Sequence, residues 1–186
     1  MYLHHAISEA DWLHLANELT LVEVPARSLL WRAGQVVDSV GFVVQGCFRF
    51  YFEKEHKDAT IQFFTDGEFI SDHESYVMGT PSRYCCQALG ACKLIRIPRE
   101  PMEEIKTARP EIKELERKIL EVEFIRLRNE RIYLQYATGD EKYRYILENR
   151  PHLLQLVPLH MLADFLAMTP QHLSRLRARQ KGKQNA

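Results

Sequence analysis

Between about residues 20 and 98, short apolar runs alternate with turn-forming residues, a pattern that predicts β-strands. In the clearest run, CFRFYF, Phe48, Phe50 and Phe52 would share one face, with Arg49 and Tyr51 on the other. Glycines fall between the runs, where turns need a permissive backbone. Several short antiparallel strands at this spacing predict a small sandwich or jelly roll.

One stretch of this β region, 66–83, is too long for a hairpin loop. Its sequence, DGEFISDHESYVMGTPSR, is expected to hold a short helix around Asp72–Val77, followed by a turn at 79–81. Long structured insertions in small β folds are more often functional than decorative. The stretch is therefore a candidate binding segment.

Helical periodicity appears on both sides of the β region. Residues 8–19 are predicted to form a helix that Ser8 caps. A much longer helix is predicted from Pro110 to about Ala137. Its narrow apolar seam consists of Ile112, Leu115, Ile119 and Val122, continued less regularly by Ile125, Ile132 and Tyr136. Such a stripe suits pairing with a second copy of the helix; packing on its own β domain is the alternative.

The C-terminal region holds shorter helices. Thr138 and Glu141 form a capping-box signature, so a helix should run from 139 or 140 to about Asn149. Two further helices are predicted within Val157–Gln180, because apolar residues recur at helical spacing and Thr169 can cap the second helix.

The second of these helices has two different sides. Leu173 and Leu176 lie on one side, and a polar, basic face lies on the other. A helix pair of this kind is what a DNA-reading helix-turn-helix requires. A terminal helical hairpin with a solvated basic tail is the alternative, since the turn lacks the glycine that such motifs often carry.

These elements predict an α+β protein in three parts. Residues 1–109 would form a β-roll effector domain, 110–137 a long dimerisation helix, and 138–186 a small helix-turn-helix domain.

Composition narrows the function. The chain has 186 residues and a formal net charge of zero, which disfavours a general polyanion binder but allows a local basic patch at the C-terminus. No apolar run is long enough to span a bilayer and no signal pattern is present, so a cytoplasmic location without a membrane partner is expected. The four cysteines are expected to be buried free thiols.

No catalytic or metal-binding constellation stands out. An enzyme of the cupin type would need a histidine and carboxylate cluster on its strands. In the β region only His56 and His73 occur, and neither belongs to an H-x-H pattern. We therefore predict neither enzymatic activity nor a metal site.

Taken together, the layout resembles the Crp/Fnr family of bacterial transcription regulators over nearly the whole chain. The resemblance rests on RAGQVVDSVGFVVQGCFRFY, on DGEF…GTPSR…QALGACKLIRIP, on the long helix and on the C-terminal helix pair. It implies a double-stranded β-helix of the cyclic-nucleotide-binding type, a coiled-coil homodimer and a winged-helix reader of double-stranded DNA. It also implies RNA polymerase as a candidate partner. The wing is expected to be truncated, as in a shorter branch of the family.

The expected effector segment departs from the family pattern. Members that bind cyclic AMP carry a Gly-Glu pair and an Arg-Ser pair, whereas this chain has Ser71-Asp72 and Ser82-Arg83. Reversing the order of two strand residues moves each side chain to the other face. A different small effector, or none, is therefore expected in place of a cyclic nucleotide. The candidate effector-binding residues are Asp72, Glu74, Ser82 and Arg83.

Other cofactors of the family find little support. The iron–sulfur branch uses N-terminal cysteines, and this N-terminus has none. A haem role stays open, although the eight histidines are scattered. We therefore predict no cofactor.

By position, the base-contacting residues of the family fall on Pro170, Gln171 and Arg175. Gln171 can address adenine and Arg175 guanine, whereas proline has no side-chain donor. The complete set of candidate DNA-binding residues is Thr169, Gln171, His172, Ser174, Arg175 and Arg179. The alternative is a signalling protein of the same fold that no longer binds DNA and acts through protein contacts.

Overall fold

The structure, a computed structural model, describes residues 16–55 and 58–184, with side chains described as far as residue 180. Of the helix predicted over 8–19, only 16–18 lies within this range and is helical. The rest of that prediction lies outside the described residues.

The β region of the described chain forms two four-stranded antiparallel sheets. One sheet has the order β1-β8-β3-β6 and the other β2-β7-β4-β5, so neighbouring strands are mostly distant in sequence. The strands are β1 Thr20–Val24, β2 Leu29–Trp31, β3 Ser39–Gln45, β4 Cys47–Phe52, β5 Ala59–Thr65, β6 Phe69–Ile70, β7 Cys85–Ala88 and β8 Cys92–Pro98. The predicted β roll is confirmed.

The helices follow the predicted order, with two additions. They are α1 His73–Met78, α2 Arg99–Ala108, α3 Pro110–Tyr136, α4 Gly139–Asn149, α5 Leu153–Leu156, α6 Leu159–Phe165 and α7 Pro170–Gln184. The additions are α2 and the short α5, of which α2 packs Ile105 against Ile112 of α3. The capping box of α4 is present, because the Thr138 amide donates to Glu141 Oε2 at 2.7 Å.

The core of the roll lies between the two sheets. Phe48, Phe50 and Phe64 are buried there with Trp31 and Leu94. All four cysteines are buried and unbridged, as expected. Burial raises the pKa of the Cys47 thiol to about 12, so this sulfur is inert at neutral pH.

Strand β4 is buried on both of its faces. Its pattern predicted which residues share a face, and both faces are covered: Arg49 and Tyr51 are buried as well as Phe48 and Phe50. The second face of the β4–β5 hairpin is covered, because Phe63 packs with the C-terminal helices and contacts Phe165 at a ring-centroid distance of 5.4 Å. The C-terminal helices and the roll therefore share a second core.

Candidate DNA-binding and effector sites

Helices α6 and α7 are joined by a tight turn. Ala167 takes the left-handed conformation with φ 52°, which a glycine usually occupies. Thr169 then caps α7, since its Oγ1 accepts from the His172 amide at 3.2 Å. The turn thus forms without the glycine whose absence from the sequence left two interpretations open.

Helix α7 has one buried and one exposed side. Leu173 and Leu176 are fully buried against α4, α5 and α6. Gln171, Ser174 and Arg175 lie on the opposite side and are exposed. The outward side therefore offers amide, hydroxyl and guanidinium groups, which are able to hydrogen-bond with base edges and phosphates.

His172 and Arg179, which were also predicted to contact DNA, contact other residues of the chain. His172 is half-buried against the start of α4, where a β-carbon on Gly139 would overlap its Nε2. Arg179 lies 3.5 Å from Asp140 in a pair that is mostly exposed on both sides. Such pairs contribute about 0–1 kcal/mol, so the guanidinium of Arg179 can exchange Asp140 for a phosphate. Arg177 points inward and donates to the Leu154 carbonyl.

A buried ionic cluster, formed by Glu68, Arg126, Glu130 and Arg150, connects the roll to the helices. Arg150 donates to the Phe63 carbonyl at 2.8 Å and to Glu68 Oε2 at 2.9 Å. Glu130 lies 3.9 Å from both Arg150 and Arg126. Burial, opposed by these two arginines, raises the pKa of the Glu130 carboxyl.

More contacts tie the same surfaces together. Thr65 Oγ1 and His152 Nε2 lie 3.0 Å apart, and the Thr60 amide donates to Asp164 Oδ2 at 2.7 Å. Burial, followed by the charge of Arg150, lowers the pKa of His152. Sequence reasoning missed this contact surface, because its partners are far apart along the chain.

Two of the candidate effector residues support the backbone. Asp72 is buried and caps α1, accepting from the Ser75 amide at 3.4 Å. Ser82 is also buried, and its Oγ donates to the Tyr84 carbonyl at 3.1 Å and accepts from the Tyr84 amide at 3.0 Å. Both side chains therefore hold α1 and the following turn in place.

The remaining two candidate effector-binding residues, Glu74 and Arg83, form an ion pair on the surface. Arg83 Nη2 donates to Glu74 at 2.9 Å, and both side chains are more than half exposed. This pair holds the arginine, which would otherwise be the phosphate-binding group, on the outside of the roll. The structure thus brings Arg83 and Glu74 together but gives Asp72 and Ser82 separate roles.

An aromatic cluster occupies the roll interior beside this segment. Phe50 contacts Trp31, Phe64 and Tyr84 at ring-centroid distances of 6.0, 6.2 and 4.8 Å. The indole Nε1 of Trp31 is buried and has no hydrogen-bond partner among the described atoms. Trp31 is a candidate effector-binding residue that sequence reasoning missed, because a single tryptophan inside a strand gave no signal of function.

The described helices contain no stretch that is both long and apolar enough to cross a bilayer. Within the same residues, histidines, cysteines and carboxylates form no group that could hold a metal ion.

The fold and its segments place the chain among proteins built on a cyclic-nucleotide-binding roll. Residues 21–108 match the family of the cyclic nucleotide-binding domain. This part of the chain therefore has the fold of a cyclic nucleotide-binding domain and is similar to that family in sequence. No curated protein sequence matches the chain.

Solved structures extend the likeness to the helices. FixK2 from Bradyrhizobium japonicum is similar with a TM-score of 0.76 and 15% identity, over 89% of this chain and 85% of that one. A putative transcriptional regulator of the crp/fnr family from Eubacterium rectale is similar with a TM-score of 0.72 and 14% identity, over 98% of this chain and 88% of that one. The c-di-GMP-responsive global regulator CLP of Xanthomonas campestris is similar with a TM-score of 0.67 and 14% identity, over 95% of this chain and 93% of that one. The predicted resemblance to Crp/Fnr regulators is confirmed for the fold.

Proposed function

We propose that this protein is a DNA-binding transcription regulator of the Crp/Fnr type. One observation carries the proposal: α7 is anchored by buried leucines and presents Gln171, Ser174 and Arg175 outward. A helix anchored in this way can enter the major groove with its polar side facing the base edges. The fold it shares with Crp/Fnr regulators supports the same role.

The proposed active form is a homodimer paired through α3. Apolar side chains on α3 are exposed, among them Val122, Ile125, Ile132 and Tyr136. They follow spacings of 3, 7 and 4 residues along the helix, which matches the seam of a coiled coil. A two-fold dimer would present two equivalent copies of α7 to successive turns of the duplex.

A small effector in the β roll remains part of the proposal, and a cyclic nucleotide is not the ligand we expect. Arg83 is paired with Glu74 on the surface, and Ser82 is bound to the backbone of Tyr84. The Ser82 hydroxyl is therefore engaged by the backbone, and Arg83 would have to leave Glu74 to hold a cyclic phosphate. The unpartnered indole N–H of Trp31 could donate to a ligand that carries a hydrogen-bond acceptor instead.

The test is a titration on duplex DNA that the wild-type protein selects. Arg175→Ala should weaken specific binding by about 1–3 kcal/mol, because a guanine contact is lost. Fluorescence anisotropy at several salt concentrations measures both the affinity and the number of phosphate contacts.

Arg128→Ala provides the matched control. It removes the same charge from an exposed position on α3, away from α7. Equal affinities for the wild type and the Arg175→Ala variant, or equal losses in both variants, would contradict the assignment of α7 as the reading helix.

A further inference from the structure

Two residues join the long helix α3 to the helices that follow it. Helix α3 ends at Tyr136 and α4 begins at Gly139, and the residues between them, Ala137 and Thr138, are both extended. Extended backbone interrupts the helix here, so no continuous helix fixes the direction of α4 to α7 relative to α3. That direction depends on tertiary contacts, among them the contacts of these helices with the β roll.

Strand β5 is the place where the helices dock on the roll. It lies at the edge of its sheet, and an edge strand presents backbone groups that no neighbouring strand pairs. The helices engage two backbone groups of β5. The Thr60 amide donates to Asp164 Oδ2 at 2.7 Å, and the Phe63 carbonyl accepts from Arg150 Nη2 at 2.8 Å. Side chains of the C-terminal helices thus take the place of a further strand.

The docking contact also has an apolar part. Phe63 is fully buried, and its ring centroid lies 5.4 Å from that of Phe165. Phe165 directly follows Asp164 on α6, so two successive residues of this short helix contact the strand. A hydrogen bond to one particular amide is directional, so it fixes the register of a contact that apolar packing alone would leave adjustable.

The docked helix is firmly joined to the proposed DNA-reading helix. Helix α6 passes through the tight turn at Ala167 into α7, and Leu162 of α6 shares a buried core with Leu173 and Leu176 of α7. Close packing of this kind makes the two helices move as one body. Strand β5 therefore holds α7 in place through α6.

We propose that the docking of α6 on β5 sets the separation of the two DNA half-sites, with Asp164 as the positioning residue. The inference rests on the proposed function, a dimer that is paired through α3 and reads DNA with α7. In such a dimer each roll holds its own α6, so the two copies of α7 keep one distance and one relative rotation. Moving a half-site by one base pair shifts it by about 3.4 Å and turns it by about 34–36° around the duplex. Helices held by the roll do not follow that change.

The docking contact is tested first without DNA. Hydrogen exchange of the Thr60 amide in the full chain, followed by NMR, reports whether Asp164 accepts from this amide in solution. The amide should be protected in the wild type and should exchange at least about tenfold faster in Asp164→Ala. Equal exchange rates in the two proteins would overturn the inference and leave the proposed function untouched.

The second experiment measures which separations each protein accepts. Fluorescence anisotropy titrations use the two-fold symmetric site that the wild type selects, with its half-sites moved by one or two base pairs. Wild-type affinity should fall at least about tenfold at each altered separation, because both copies of α7 no longer engage together. In Asp164→Ala this loss should shrink to about threefold or less, because released helices can turn to follow the half-site. Affinity for a single half-site should equal that of the wild type.

The single half-site separates a positioning role from a structural one. A fall in the affinity of Asp164→Ala for one half-site would mean that Asp164 supports the reading helix itself, and would overturn the inference. An equal penalty for altered separation in both proteins would overturn it as well and leave the proposed function intact. Selection of only a single half-site by the wild type would overturn the proposed dimer and this inference together.

Glu148→Ala is the matched control. It removes the same charge from an exposed position on α4, and Glu148 makes none of the contacts with β5 described above. This variant should keep the wild-type preference for one separation. Equal relaxation in Glu148→Ala and Asp164→Ala would assign the effect to charge alone and overturn the role of the docking contact.

Discussion

The two sides of helix α3 lie in opposite environments. Toward the roll and α4 it carries charge, with Glu130 buried and Arg126 partly buried. Away from them it carries Ile125 and Tyr136, which are 54% and 76% exposed. Folded chains normally bury apolar groups and expose charged ones. The reversal supports the proposal that a second chain covers the outward face.

The contrast also separates two kinds of interface. Contiguous exposed apolar groups mark a permanent contact with another chain. Ionic and hydrogen-bonded contacts, such as Arg150 with Glu68, are typical of domain interfaces that can rearrange. We therefore infer that α3 pairs firmly through its outer face and adjusts against the roll through its inner face.

Among the predictions, removing Arg150 from the inner face of α3 should have the largest effect, which is a loss of stability. Arg150→Ala removes the closest cation of Glu68 and one of the two arginines beside Glu130, and it frees the Phe63 carbonyl. Because a buried charge then loses its partner, the free energy of unfolding should fall by about 3–5 kcal/mol. Urea denaturation followed by circular dichroism measures the change.

Arg117→Ala is the control on the solvent-facing side. Arg117 pairs with Glu114 at 2.6 Å, but both side chains are about half exposed. Its removal should change the free energy of unfolding far less than the removal of Arg150 does, because solvent screens an exposed pair. If the two variants lost equal stability, the ionic cluster would not hold the roll and helices together.

Charging the outer face should break the dimer and spare the subunit. In the double variant Ile125→Glu, Ile132→Glu, four carboxylates would face one another across the seam of a homodimer. Each buried position should lose about 2 kcal/mol or more of association free energy, so the dissociation constant should rise by more than about a hundredfold. Sedimentation equilibrium measures it.

A second double variant controls for charge alone. Arg128→Gln with Gln135→Glu changes the net charge by the same amount, at exposed positions off the apolar seam. This variant should remain dimeric. A dimeric Ile125→Glu, Ile132→Glu protein would show that α3 does not form the subunit interface.

The smallest predicted effect is a change in pH dependence. Because the folded-state pKa of Glu130 is raised above 4.5, the native state holds this proton more tightly than the unfolded state. Its contribution to stability is therefore greatest below pH 4.5 and declines as the pH rises through the folded-state pKa. Glu130→Gln removes that decline.

Comparing the unfolding free energies of the wild type and Glu130→Gln from pH 4 to pH 8 measures this contribution. The advantage of the variant should grow with pH over that window. A constant difference between the two proteins would mean that the pKa of Glu130 is the same in both states.

Local patterns in the sequence predicted much of the fold. The strands follow from alternating apolar runs, and α4 follows from its capping box, because both signals lie within a few residues. The sequence pattern did not indicate α2, since Pro98, Pro101 and Pro110 surround a stretch with few apolar residues. The burial of Arg49 could not be foreseen, because it depends on helices distant in the chain.

The candidate sites likewise contain residues that local patterns predict and residues that depend on contacts between distant parts of the chain. The outward positions of Gln171 and Arg175 could be read from helical periodicity alone, and their contact with DNA stays a prediction. The pairing of Arg150 with Glu68 spans 82 residues, and no local pattern encodes it.

Selection of bound sequences from random duplex DNA tests the central claim most directly. The purified wild-type chain is used without added ligand. A two-fold symmetric pair of half-sites, about one helical turn or 10–10.5 base pairs apart, is the predicted result. Recovery of a single asymmetric half-site would contradict the account of a DNA-reading dimer paired through α3.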